Sequence, residues 1–99
     1  MAPRSDLQNL LEEITDHVYF QPPSNVRIVY PCIVYGLSGS HAERADNRLY
    51  LHTKRYQVTV IDRNPDSELP DQVVEFPMCE FDRMFIADNL NHYVYTLFF

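Results

Sequence analysis

Lys54-Arg-Tyr-Gln-Val-Thr-Val-Ile-Asp-Arg-Asn-Pro-Asp66 is the stretch from which the fold is read. Tyr56, Val58 and Val60 fall on one side of an extended chain, and Arg55, Gln57 and Thr59 on the other. That period of two is the signature of a half-buried β-strand. Asp62 to Asp66 then gathers Asp, Asn and Pro, which favour a turn over further extension. The stretch therefore predicts a strand that runs into a turn and then a helix.

Before this strand, Ser5-Asp6-Leu7-Gln8 has the form of a capping box, with an acid in the first turn. Leu7, Leu10, Leu11, Ile14 and Val18 follow at helical spacing, so a first helix is expected over Ser5–Asp16 with one leucine-rich stripe buried. Val18–Gln21 reads as a short strand ended by Pro22 and Pro23. Arg27–Gly36 reads as a second strand, apolar on both faces. The polar segment Leu37–Leu51 reads as a long loop, and loops of that length are usually functional or disordered.

Beyond the strand, Asp66–Phe76 predicts the second helix, with Asp66 or Ser67 as cap and Pro70 in the first turn. Glu80–Asp88 and His92–Phe99 predict a closing hairpin turned by Asp88-Asn-Leu-Asn91. The expected architecture is one α+β domain spanning residues 1–99. It holds a single mostly antiparallel sheet of four to five strands with two helices on one face, in the order α-β-β-β-α-β-β. Two helices cover about four strands on one side only. Tyr93, Tyr95, Leu97, Val29, Ile33 and Tyr35 are then expected on the uncovered side, where an apolar surface implies self-association or a protein partner. On that reading Tyr95→Asp disturbs assembly more than folding.

Composition narrows function by exclusion. The 99 residues suit one domain, with 45% hydrophobic and 22% charged residues, and thirteen aromatics against two Gly favour an ordered chain. A net charge of −6 argues against a domain that grips phosphate backbones. Met1–Leu10 lacks the apolar run of a signal peptide and no stretch is long enough to span a bilayer, so synthesis in the cytoplasm is expected. Cys32 and Cys79 are accordingly read as reduced thiols, a disulfide being the alternative.

His17, His41, His52 and His92 show no metal-ligand spacing, and no H-E-x-x-H, C-x-x-C pair, phosphate loop or nucleophile elbow is present. Asp62–Ser67 opens like a calcium loop, but Ser67 stands where Gly is needed and Val73 where Glu is needed. Pairs such as Glu43 with Asp46, or Glu80 with Asp82, lack any accompanying nucleophile or oxyanion site. No cofactor and no enzymatic activity are expected.

Four stretches, Val18-Tyr-Phe-Gln-Pro-Pro-Ser-Asn-Val26, Tyr30-Pro-Cys-Ile-Val-Tyr35, Tyr56–Glu68 and Asp88-Asn-Leu-Asn-His92, resemble the tail-completion (tail-terminator) proteins of long-tailed bacteriophages. The resemblance spans about Leu7 to Phe99. It implies a structural virion protein at the tail–neck region that forms a ring, commonly of six subunits, on the end of the tail tube. Such a ring stops tube growth and offers the surface that joins the head, while DNA passes through its channel without specific binding. Its partners would be other copies of the chain, the tail tube protein and a neck or connector protein, with no membrane. Under this reading Glu43, Arg44, Asp46, Asn47 and Arg48 in the loop, together with Tyr93, Tyr95 and Leu97, are the expected partner-binding residues. The alternatives are a head-to-tail connector or stopper, and a small intracellular protein-binding module.

Overall fold

A computed structural model describes residues 4–45 and 48–99, with the backbone alone over 40–45 and 48–53. The strand read first, β3 (Arg48–Asp62), is the longest element and lies at the centre of a five-stranded sheet. Around it run α1 (Arg4–Glu12), β1 (Val18–Phe20), β2 (Cys32–Ala45), α2 (Leu69–Val74), β4 (Cys79–Ala87) and β5 (Leu90–Phe98). The element order is the expected one. The spatial order is β1-β2-β3-β5-β4, antiparallel throughout except for β1, which pairs parallel to β2.

Register assigns the faces. Ile33, Tyr35, Tyr56, Val58, Val60, Tyr95 and Leu97 pack with Leu7 and Leu11 of α1 and Val73 of α2, so both helices lie on one face. This places Ile33, Tyr35, Tyr95 and Leu97 in the core and corrects their expected place on an open face. The cause is parity across the ladder. Tyr95 sits opposite Val58 and Leu97 opposite Tyr56, and directly paired residues of an antiparallel ladder share a face. Tyr93, opposite Val60, lies at the margin of the same core.

The other face also receives cover from the chain. Ile28 and Tyr30, in the segment before β2, pack on Cys32, Ile61 and Leu90 with Tyr19 and Val34. Farther along the same face Gln57 is exposed and Thr59 and Thr96 are half-buried, as a solvated sheet surface requires. Val29 is exposed on the covering segment, outside any strand. The second strand begins at Cys32 instead of Arg27, and the Tyr30–Pro31 peptide before it is cis.

The helices are shorter than the periodicity allows. α1 stops at Glu12, and α2 begins only at Leu69 because the turn before it spends its polar groups locally. Asp62 Oδ1 accepts the Asn64 N–H (3.0 Å), and Asn64 Oδ1 accepts the Asp66 N–H (3.0 Å). Ser67 Oγ accepts the N–H of Leu69 (3.3 Å), and Pro70 sits in the first turn, where its missing donor costs nothing. The closing hairpin is tighter than expected: Asp88 and Asn89 alone form its turn, with φ of 53° and 63°. Those values suit a two-residue turn of the primed type that Asp and Asn tolerate.

Candidate assembly surfaces

The segment expected as a loop, Leu37–Leu51, is largely β-structure. β2 and β3 stay paired from Cys32↔Ile61 out to Ala45↔Arg48, with one-residue slips at Ser38 of β2 and at Tyr50 of β3, which makes a hairpin arm whose last described row is Ala45↔Arg48. Sequence pattern missed it because alternation of apolar and polar residues reports burial of one face, and a two-stranded arm need bury neither. Backbone pairing joins the strands there. β5 accompanies β3 only as far as Arg55↔Phe98, with one further exchange between Lys54 and Phe99. β1 accompanies β2 only over Ile33–Tyr35. From residue 40 outward the arm has no third strand among the described residues. About seven residues at 3.3–3.4 Å each carry it roughly 23 Å past the sheet, consistent with principal extents of 51 × 26 × 23 Å.

Its base is built specifically. The pairing slips by one residue at Ser38, a bulge of the kind that re-aims a strand. Arg55 fastens this bulge: Nη2 donates to the Ser38 carbonyl (3.0 Å) and Nε to Ser38 Oγ (3.3 Å), while the Ser38 hydroxyl donates to the Arg55 carbonyl (3.0 Å). A Cβ on Gly39 would come within 2.8 Å of the same guanidinium, so glycine gives it room. On the neighbouring edge Gln21, at φ 43°, ends β1 and accepts the Leu37 N–H on Oε1 (2.9 Å), taking over the bond that a longer β1 would have made.

Of the expected partner-binding residues, Glu43, Arg44 and Arg48 lie in the outer arm, in the rows Glu43↔Leu51, Arg44↔Leu49 and Ala45↔Arg48. Asp46 and Asn47 lie outside the described residues. Tyr95 (3% exposed) and Leu97 (1%) are core residues and cannot meet a partner. The Tyr95 hydroxyl donates to the Pro70 carbonyl (3.2 Å), and its ring meets Phe81 edge-on at 5.6 Å. Burial, with lesser contributions from Cys79, Asp71 and Tyr93, raises its phenol to about 12. Tyr93, half-buried beside them, belongs to the same packing.

The apolar surface lies on β4 instead. This strand is an edge of the sheet, and Phe81 (54% exposed), Met84, Phe85 and Ile86 (67%) are open to solvent, as are Met78 before it and Val74 on the adjacent helix. Both faces contribute: Phe81 lies opposite Tyr95 on the helix side, while Phe85 stacks on His92 (4.5 Å between centroids) on the other. The signal for this surface was the unbroken Met-Phe-Ile of residues 84–86, apolar on successive positions and so unable to face one core.

The described residues offer no assembled chemistry elsewhere. No group of three or more His, Cys, Asp or Glu residues is placed to hold a metal ion among them. A shallow open depression is lined by Gln21, Val34, Tyr35, Gly36, Leu37, Ser38, Gln57 and Thr59, with no carboxylate, imidazole, thiol or basic side chain among them. Both cysteines are free. Burial, and secondarily Asp62, raises the Cys32 thiol to about 12, and burial followed by Glu80 raises that of Cys79, so neither has thiolate character. Among the described residues no helix is long and apolar enough to cross a membrane. Comparison with known proteins returns no matching family model, no matching curated protein and no matching solved structure.

Proposed function

We propose that the protein is a structural subunit that closes into a ring at the end of a bacteriophage tail tube, acting as a tail terminator. The observation that carries the reading is the hairpin arm, a two-stranded extension with no third strand from residue 40 outward among the described residues. An isolated two-stranded ribbon is marginal in water, so an arm of this length implies a surface that completes it. The exposed β4 edge adds a second unfinished surface on a different part of the molecule. Two unlike surfaces on one chain favour head-to-tail contacts, which close into rings when the rotation permits.

The tail-tube assignment itself rests on the sequence resemblance. The overall charge of −6 accords with it, since an acidic channel lets DNA pass without holding it. No chemical step belongs to this role, and the arm's Glu43, Arg44 and Arg48 are its proposed contact residues.

Negative-stain imaging of the purified protein, together with its native mass, tests the ring: closed particles of uniform stoichiometry are expected, and a strict monomer at high concentration sinks it. Loss of the gene separates the roles. A terminator's absence leaves overlong tails, whereas normal tails with leaking heads identify a connector.

A further inference from the structure

We infer that the contact between neighbouring copies is made by the β3 half of one copy's arm lying along the β4 edge of the next. The inference rests on the ring reading and names its interface. Charge is divided unequally along the chain. Residues 39–55 hold four of the eight basic residues and two of the fourteen acids, a net of +2, which leaves −8 on the rest. Residues 64–91, covering α2, β4 and their turns, carry Asp66, Glu68, Asp71, Glu75, Glu80, Asp82 and Asp88 against Arg83 alone. All seven acids are exposed.

The two strands match in composition as well as in sign. The arm half of β3 reads Arg-Leu-Tyr-Leu-His-Thr-Lys over 48–54, basic at both ends with an apolar centre and no acid. β4 reads Cys-Glu-Phe-Asp-Arg-Met-Phe-Ile-Ala over 79–87, with two acids and exposed Phe81, Met84, Phe85 and Ile86. Beyond Lys54 the outer edge of β3 has no neighbour among the described residues, and so has the outer edge of β4. Each is an unpaired row of backbone donors and acceptors, and adding one to the other satisfies both. Nor can a copy satisfy itself this way, because β5 stands between its β3 and β4 and the arm runs out past the end of the sheet. Asp82 holds Arg83 at 3.0 Å, but both are well exposed and such a pair is cheaply exchanged.

The test is a charge swap read by sedimentation velocity, with circular dichroism and thermal melting to confirm folding. The arm pair Arg48→Glu with Lys54→Glu, and separately the edge pair Glu80→Lys with Asp82→Lys, should each raise the concentration needed for assembly by about a hundredfold. All four changes in one chain, or the two pair variants mixed, should restore assembly, since each reversed arm then meets a reversed edge. The interface is overturned if folded pair variants assemble like the unaltered protein, or if the swapped chain stays monomeric. Rings that ignore the swap leave the ring reading standing without this contact. Open filaments or pairs that obey it establish the contact and remove the ring. An unaltered protein that remains monomeric throughout ends both.

Discussion

The two halves of β3 are one strand under two sets of forces. From Tyr56 to Ile61 it has a neighbour on each side, and Tyr56, Val58 and Val60 are fully buried beneath the helices. From Arg48 to Thr53 it is paired, among the described residues, with β2 only. The inner half owes its place to apolar burial, worth about 25 cal/mol per Å² removed from water. The outer half has the ladder and whatever a neighbouring surface adds. On the proposed assembly, stability and association would therefore fall on different residues of the same strand, and substitutions should separate them.

Tyr95→Asp gives the largest contrast. Its ring packs in the core against Phe81, and its hydroxyl is bonded to Pro70. The substitution removes that packing and brings a carboxylate into an apolar site, at a cost of about 4 kcal/mol or more. Loss of the folded monomer in circular dichroism is expected, the reverse of what an exposed interface tyrosine would show. A folded but unassembled Tyr95→Asp protein would return this face to the surface.

Alkali probes the same core without mutation. The Cys32 thiol moves from 9.0 to about 12, and the Tyr95 phenol from 10.0 to about 12, both through burial. Their folded values are raised, so their contribution is whole below pH 9, where folded and unfolded chains both keep the protons. It is lost as pH climbs from about 9 to 12, because the unfolded chain ionises first. The melting temperature should fall across that window. Cys32 should resist alkylation in the native protein at pH 8 and react after denaturation. Ready labelling of the native Cys32 thiol would contradict its burial.

Much of this core was legible beforehand, and the reason is local. Tyr56, Val58 and Val60 alternate with polar neighbours, Leu7 and Leu11 keep helical spacing, and Asp62–Asp66 has turn chemistry; each is a signal complete within a few residues. What escaped was set by pairing. Nothing inside Tyr93–Leu97 says which parity meets the helices, and that depends on register with β3. The arm escaped for a related reason, since its strands are defined by their pairing with each other and residues 37–51 carry no sustained apolar alternation. The β4 surface was misplaced with it: once Tyr95 and Leu97 go inward, the apolar positions left over are those of the edge strand.

A smaller effect is expected at the boundary between the two regions. Gln21→Ala removes the side-chain bond to the Leu37 N–H and leaves a residue at positive φ, for a loss of about 1 kcal/mol in urea unfolding. Gln21→Gly should lose less, because glycine relieves the φ of 43° even as the bond goes. Equal losses in the two variants would mean that the hydrogen bond alone matters there.

The smallest effect on stability should come from the largest change in sequence. Excising residues 41–53 and joining Ser40 to Lys54 through Asn-Gly keeps the Ser40↔Lys54 pair as the last row of the hairpin and retains the Ser38–Arg55 fastening. It also keeps the exchange between Lys54 and Phe99 that finishes β5. Asn-Gly suits a two-residue turn between directly opposed residues. Every core residue among the described side chains lies outside the excised segment and is retained, so the unfolding free energy should change by no more than about 1 kcal/mol, a few degrees in melting temperature. Assembly, on the same protein, should vanish. A shortened chain that melts far below the parent would mean that the arm folds back to support its own body, and the division of β3 into a stabilising half and an assembling half would fail.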